Sequence, residues 1–243
     1  MPANYFDEPV AATYDDLSAR MFAPEVLDPT LDVLTELAGE GAALELAVGT
    51  GRVALALADR GVGVHGIELS PAMLQRLRAK PGAARVGTTL GDMTSASVEG
   101  RFALVYLVFN TVSNVTTQDG QVAVFANAAA HLEPGGHFVI EVGVPQLQSV
   151  PRGERFHVFE RTEDYLGVDE YDVVTQEMWS HHHRFEGAEG HRASIPFRYT
   201  WPSELDLMAR LAGMSLVHRW AGWDRSPFTA ESTSHVSVWR RDP

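Results

Sequence analysis

The stretch Glu45-Leu46-Ala47-Val48-Gly49-Thr50-Gly51-Arg52 constrains this chain more than any other, because it joins a strand-like apolar run carrying one carboxylate to a glycine-paired turn and then to a helix. Ala43 to Val48 is short and mostly apolar, with Gly39 and Gly41 before it and Gly49 after it, the pattern of a buried strand in a parallel sheet. Gly49 and Gly51 permit positive φ and let a ligand approach bare backbone. From Arg52, the residues Val53, Leu55, Ala56 and Leu57 fit a helix that Gly61 stops. Its free N–H groups and positive dipole end favour something electronegative in front of them. Glu45 stands out. A carboxylate in a buried strand is costly unless a cation or several donors meet it, and a ligand ammonium near the turn answers that need better than a loop-capping role.

The turn by itself leaves two cofactors open. Gly49-Thr50-Gly51-Arg52-Val53-Ala54 also satisfies the dinucleotide-binding pattern with Ala54 as its third small residue, so an NAD-dependent oxidoreductase fits these residues as well.

Length and charge narrow the classes. At 243 residues the chain can bury a sizeable core in one large domain with room for a cover. A formal net charge of −13 argues against a nucleic-acid backbone as partner, since that needs clustered cations. The absence of cysteine excludes disulfides, thiolate metal sites and cysteine nucleophiles. Arginine is abundant and Lys80 is the sole lysine, which reads as coding preference rather than chemistry. No apolar run approaches membrane-spanning length, and Met1 to Pro9 lacks a basic region followed by an apolar stretch. A cytoplasmic protein without membrane contact is the expectation.

Along the chain, strands alternate with helices, the signature of a doubly wound α/β sheet. Val62 to Glu68 reads as the second strand, and Ser70-Pro71 opens a helix with a capping hydroxyl followed by proline. Ala84 to Leu90, Phe102 to Val108 and His137 to Val142 read as strands three to five, with a helix from Gln118 to Leu132 before the last of them. In an open sheet of this kind, ligands gather at the carboxyl ends of the strands. Glu68, Asp92 and Asn110 fall at such ends. Glu68, seventeen residues beyond Gly51, can accept both ribose hydroxyls, as it could for NAD too. Asp92 can accept from an adenine amine, with Met93 packing on the ring, although capping Thr94 and Ser95 is nearly as common a use.

The ordered set Glu45-x-Ala47-x-Gly49-x-Gly51, Gly66-Ile67-Glu68-Leu69-Ser70-Pro71-x-Met73, Gly91-Asp92-Met93 and Leu132-x-Pro134-Gly135-Gly136 resembles the class I S-adenosylmethionine-dependent methyltransferases over roughly residues 40 to 145. That family usually has glycine where this chain has Ala47. The resemblance implies a Rossmann-like seven-stranded sheet, mostly parallel with one antiparallel strand, and S-adenosyl-L-methionine as cofactor. It implies that Glu45 meets the methionine ammonium, Glu68 the ribose and Asp92 the adenine, and that Phe109-Asn110-Thr111 lies near the sulfur. Leu69, Met73, Met93, Arg52 and the turn residues Ala47, Gly49 and Gly51 complete the implied cofactor set. At the tail, a helix opening at Trp201-Pro202-Ser203-Glu204 and two strands, Met214 to Trp220 and Ser234 to Trp239, match how the family's sheet is completed.

Residues 39–143 and 200–243 thus form the cofactor-binding core of a single domain, 1–38 an N-terminal helical cap, and 144–199 an inserted antiparallel β cover. Tyr5, Phe6, Tyr14 and Phe22 make the cap aromatic, and related small-molecule enzymes nominate Tyr14 to face the cofactor. In the insert, Phe156 to Glu160, Asp172 to Phe185 and His191 to Tyr199 read as strands, with a hairpin turn over residues 186–190. Within it, Trp179, His181, His183 and Phe185 share one strand face and Ser180, His182 and Arg184 the other, so the histidine row is a poor metal site. No metal is expected. His181, His182 and His183, and Asn110 after strand four, are the candidates for catalytic work, because histidine titrates where proton removal from an acceptor is useful. His157, Tyr165, Glu141 and Asp224 are further bases without a distinguishing argument, and His131 reads as a surface or helix-end residue. The expected reaction is methyl transfer to oxygen or nitrogen of a small molecule, such as a natural-product scaffold or its sugar, by a monomer or homodimer. The rivals are the NAD-dependent oxidoreductase and a catalytically silent partner subunit that holds the cofactor.

Overall fold

The computed structural model describes residues 5–187 and 189–242. Ala188, within the expected hairpin turn, lies outside them. The chain opens with two helices, α1 (Glu8–Leu17) and α2 (Pro24–Ala38), and then winds β1 (Ala43–Leu46), α3 (Arg52–Asp59), β2 (Val64–Glu68), α4 (Pro71–Arg78), β3 (Val86–Leu90), β4 (Phe102–Leu107), α5 (Gln118–His131) and β5 (Leu132–Gly143). Four strands follow, β6 (Phe156–Arg161), β7 (Tyr165–Tyr171), β8 (Glu177–Glu186) and β9 (Glu189–Arg198), before α6 (Pro202–Leu211), β10 (Met214–Trp220) and β11 (Ser234–Arg241).

The main sheet has seven strands in the order β10-β11-β5-β4-β1-β2-β3, with β11 antiparallel to both neighbours. This is the expected sheet with its single antiparallel strand. Alternation on the central strands splits the core between two faces. Leu44, Leu46, Val105 and Leu107 pack with Phe125, Phe138 and Trp239 beneath α5 and α6, while Ala43, Leu104, Tyr106 and Val139 pack against α2, α3 and α4. The rings of Phe125, Phe138 and Trp239 lie 5.1 to 6.1 Å apart, edge-on or tilted, each such pair adding about 1 kcal/mol beyond its buried area.

The strand boundaries differ from the sequence reading for local reasons. β1 stops at Leu46 because Ala47 turns into the left-handed region at φ 60°. A 3-10 turn at Ala83–Arg85 delays β3 to Val86, and β2 begins at Val64. β5 starts at once after α5, pairing Leu132 with Phe102 before an irregularity over the Pro-Gly-Gly segment. The insert holds four strands where three runs were expected. Tyr165–Tyr171 is a strand of its own, and Asp172 to Gln176 is a turn whose Asp172 Oδ1 accepts from the Val174 and Thr175 N–H groups. The second sheet runs β6-β7-β8-β9, all antiparallel, with β9 at its edge beside the 3-10 turn Thr111–Asn114. An edge strand tolerates the Pro196 it carries.

Candidate active site

A cavity of about 460 Å³ opens over the carboxyl ends of β1 to β4, within the usual range for small-molecule sites. Its floor is the glycine turn. Gly49 has φ +56°, and a Cβ placed there would meet nothing within 4 Å, so the backbone lies bare to a ligand. Gly66 is required for a different reason: its Cβ would fall 2.5 Å from the Val48 Cβ, so only glycine lets β2 pass under the turn. Ala47, also on the cavity wall, takes φ 60° with a side chain present, a conformation costing about 1 kcal/mol and the physical reason glycine is favoured there.

Glu68 fastens the turn to β2. Its Oε2 accepts from the Gly49 N–H at 2.8 Å and its Oε1 from the Ser70 N–H at 2.8 Å. Burial pushes its carboxyl above the usual range, while the backbone donors pull the other way. Ser70 Oγ caps α4 by accepting from the Met73 N–H at 3.2 Å. Asp92 performs the capping role weighed for it, Oδ1 accepting from the Thr94 N–H at 2.9 Å, and it lines the cavity as well.

Of the residues assigned to the cofactor, Tyr14, Ala47, Gly49, Glu68, Leu69, Met73, Asp92 and Met93 line the cavity. Glu45 lies beneath it. The carboxylate is 3% exposed and accepts from the Tyr106 hydroxyl at 2.9 Å, across the pair of residues that β1 and β4 hold in register. Burial pushes its pKa up to about 8, against the Tyr106 hydrogen bond, the Arg52 charge and the Ala54 backbone N–H. The cation or donors demanded by a buried carboxylate are thus partly supplied from within. Gly51 caps α3 at φ 83°, under Leu77. Arg52 turns to the Met21 carbonyl at 3.3 Å and sits 5.7 Å from the centre of the Phe109 ring.

Phe109 and Asn110, expected beside the cofactor's sulfur, are not among the residues that line the cavity. Both take φ 60° and are pinned to β5: the Phe109 N–H donates to Glu141 Oε2 at 2.9 Å, and Asn110 Oδ1 accepts from the Gly143 N–H. This sharp bend delivers Thr111, not Phe109 or Asn110, to the cavity. A left-handed Phe is uncommon, and two such residues in succession mark a strained corner at the strand end.

The three candidate histidines lie in the second sheet. His181 is buried within the second sheet, its Nδ1 2.8 Å from Ser194 Oγ and its Nε2 3.3 Å from Glu170 Oε2. His182 faces the other side, as alternation requires, with Nδ1 at Tyr165 Oη and Nε2 3.3 Å from Ser180 Oγ, and burial lowers its pKa. His183 pairs in register with Arg192. None of the three lines the cavity. His131 is buried rather than on the surface, its Nε2 accepting from the Val98 N–H at 3.0 Å. Asp224 is exposed and holds Ser226, and Glu141 serves Phe109.

The remaining walls escaped the sequence reading: Thr94, Asn114 to Thr117, Gly120, and Ile195 with Pro196 from β9. A hydroxyl-rich loop directly after a central strand was the available signal for Thr116 and Thr117. Tyr5, Phe6 and Tyr14 roof the cavity from α1 and the residues before it. The roof is clasped to the core by polar pairs: Thr50 Oγ1 donates to Asp15 Oδ1 at 2.6 Å, Lys80 Nζ lies 2.5 Å from Asp15 Oδ2, and Arg76 pairs with Glu8 at 2.7 Å. Burial raises the Tyr14 pKa, so its hydroxyl keeps its proton at neutral pH.

A bare glycine floor, carboxylates ending successive strands, and an apolar flank of Leu69, Met73 and Met93 fit an adenosine carrying an amino-acid end. Comparison with known proteins agrees. A family model described as a methyltransferase domain matches residues 43–136. The CcbJ methyltransferase from Streptomyces caelestis is 36% identical over 96% of this chain and 96% of its own, and superposes with a TM-score of 0.85. The cypemycin N-terminal methyltransferase of a Streptomyces species is 26% identical over 97% of each chain. CalS10, an amino pentose methyltransferase from Micromonospora echinaspora solved with S-adenosylmethionine, shares the fold at a TM-score of 0.71 and 21% identity, covering 99% of this chain and all of its own.

Proposed function

Because the chain belongs to the S-adenosylmethionine-dependent methyltransferases, we propose that it methylates an amine nitrogen of a small natural product or its sugar, bound between the strand ends and the edge of the second sheet. In this reading Glu68 receives the ribose hydroxyls, Asp92 the adenine amine, Leu69, Met73 and Met93 flank the base, and the glycine turn with Arg52 receives the amino-acid end, above Glu45. The cofactor supplies a methyl already activated on a sulfonium.

The observation that carries the choice of nitrogen is the state of the ionisable groups around the cavity. In this reading Glu68 and Asp92 are committed to the cofactor's ribose and adenine, each anchored by backbone N–H groups, and Tyr14 holds its proton. His181 and His182 are hydrogen-bonded within the second sheet, and no histidine of the insert lines the cavity. A hydroxyl nucleophile wants a base for its proton, whereas a neutral amine brings its own lone pair. The chain then needs to align the acceptor and exclude water, work suited to the roof of Tyr5, Phe6 and Tyr14 and to the wall of Ile195 and Pro196. The cypemycin enzyme, whose name specifies an N-terminal acceptor, supports the same choice.

The test is calorimetric binding of S-adenosylhomocysteine against NADH, followed by mass-spectrometric assay of methyl transfer to aminosugars and short peptides and to matched hydroxyl analogues. Binding of the first nucleotide alone, and transfer to amines with a rate that rises as pH frees the lone pair, is the expected result. Preference for the hydroxyl analogues would overturn the nitrogen assignment. Tight binding without transfer to any acceptor would favour a silent partner subunit.

A further inference from the structure

Arg198, at the end of β9, carries a buried charge that no cofactor role explains. The residue is 4% exposed; its Nη1 donates to Gln121 Oε1 at 2.5 Å, and its Nη2 donates to Gln176 Oε1 at 2.9 Å and to Glu204 Oε1 at 2.7 Å. The partners are themselves cross-linked. Gln121 Nε2 donates to the Val112 carbonyl at 3.3 Å and the Arg198 carbonyl at 3.0 Å, while Gln176 Nε2 donates to Glu204 Oε2 and Gln118 Nε2 to Glu204 Oε1, both at 2.8 Å. Gln176 holds φ 60° within this network, a left-handed conformation that persists where the surroundings over-determine it. Apolar contacts would join the same elements with less desolvation; a satisfied polar network also fixes distance and direction.

Position gives the network its meaning. Val112 lies in the Thr111–Asn114 turn after β4, Gln121 follows Gly120 on α5, and Arg198 stands two residues beyond Pro196 on β9. Thr111, Gly120, Ile195 and Pro196 line the cavity. Three segments of one wall are therefore tied to a single guanidinium, directly or through Gln121. Glu68 and Asp92, at the ends of β2 and β3, lie across the glycine turn from this wall and make their hydrogen bonds elsewhere.

Resting on the reading above that an acceptor binds between the strand ends and the edge of the second sheet, we infer that Arg198 is a positioning residue for methyl transfer. Through Gln121, Gln176 and Glu204 it fixes the insert's wall against the turn after β4, and so sets where the acceptor stands relative to the methyl. Arg198 does not itself line the cavity. A shift of this wall by about 1 Å misaligns nucleophile and methyl while leaving the nucleoside side undisturbed.

Arg198→Met alone strands the Glu204 carboxylate and should lower the melting temperature by roughly 10 °C. The test therefore uses the double variant Arg198→Met/Glu204→Gln, which leaves neither charge of the pair unmatched and should recover most of that loss. Calorimetry follows S-adenosylhomocysteine, and steady-state kinetics use whichever aminosugar, peptide or hydroxyl analogue the wild type methylates fastest. The double variant is expected to bind S-adenosylhomocysteine within about twofold of wild type, while kcat/KM for the acceptor falls roughly ten- to a hundredfold. An unchanged kcat/KM overturns the inference. Parallel loss of nucleotide affinity and of kcat/KM also overturns it, and makes Arg198 a general support of the fold. Because the kinetics follow whichever acceptor is used, a preference for hydroxyls sinks the nitrogen assignment and leaves this inference standing. If the wild type methylates none of them, hydrogen exchange of the S-adenosylhomocysteine complex decides. Faster exchange over residues 111–121 and 190–198 in the double variant, with 45–52 unchanged, upholds the attachment of the wall; unchanged or uniformly faster exchange overturns it.

Discussion

The two sheets both carry conspicuous polar residues, and they use them differently. On the seven-stranded sheet, Glu68 and Asp92 are held from behind by backbone N–H groups and still face the cavity. On the four-stranded sheet, His181 and His182 spend their ring nitrogens on Ser194, Glu170, Tyr165 and Ser180 within the same sheet. A row of histidines is the more eye-catching sequence, but its hydrogen bonds close on themselves. A carboxylate and an imidazole differ in one respect: a carboxylate oxygen that accepts one N–H still offers a second lone pair, whereas each ring nitrogen is a single donor or acceptor.

The contrast is most severely tested at Glu68. Glu68→Ala removes the ribose acceptor and also frees the Gly49 N–H, so binding of S-adenosylhomocysteine should weaken by about 3 kcal/mol, roughly a hundredfold by calorimetry. Unchanged affinity would mean that the carboxylate serves the turn alone, no differently from the histidines.

A second test uses pH. Burial raises the Glu45 pKa from 4.5 to about 8, so between those values the folded protein holds a proton that the unfolded chain has released. Stability is then full at low pH, falls as pH climbs through that window and levels off above it. Melting of the ligand-free protein should drop by roughly 10 °C between pH 5 and pH 8, and Glu45→Gln should flatten most of that drop. His182 in the insert works in the opposite sense: its lowered pKa removes stability as pH falls below 6.5. Equal slopes in the wild type and Glu45→Gln would show that Glu45 is ionised throughout.

The smallest effect is expected in the insert. His181→Gln gives up bonds to Ser194 and Glu170 and should lower stability by about 1 kcal/mol, or 2 to 4 °C, with methyl transfer within about twofold of wild type. A tenfold loss of rate in a folded variant would return the histidines to the reaction.

The core was legible because its determinants are local. Gly49, Gly51, Ser70-Pro71 and the strand-end carboxylates act within a few residues of where they stand in sequence, and the structure puts them at the turn and cap positions their chemistry suggests. What escaped depends on distant packing. Tyr165–Tyr171 carries Gly167, Asp169 and Glu170, a composition that hides a strand until β6 and β8 flank it. His131 is buried because the Val98 segment folds back over it, and Ile195 and Pro196 meet the cavity only when β9 docks beside Thr111–Asn114. Phe109 and Asn110 missed the cavity through a left-handed bend that no propensity assigns to Phe.

The Asp15–Lys80 pair has a practical use. Lys80 is the sequence's one lysine, and it joins the roof helix to the end of α4. Reductive methylation with carbon-13 keeps the ammonium charge and installs a single ε-amine probe at the clasp. Its resonance would report whether the Asp15 pairing holds or breaks when a ligand binds, free of overlap from any other lysine.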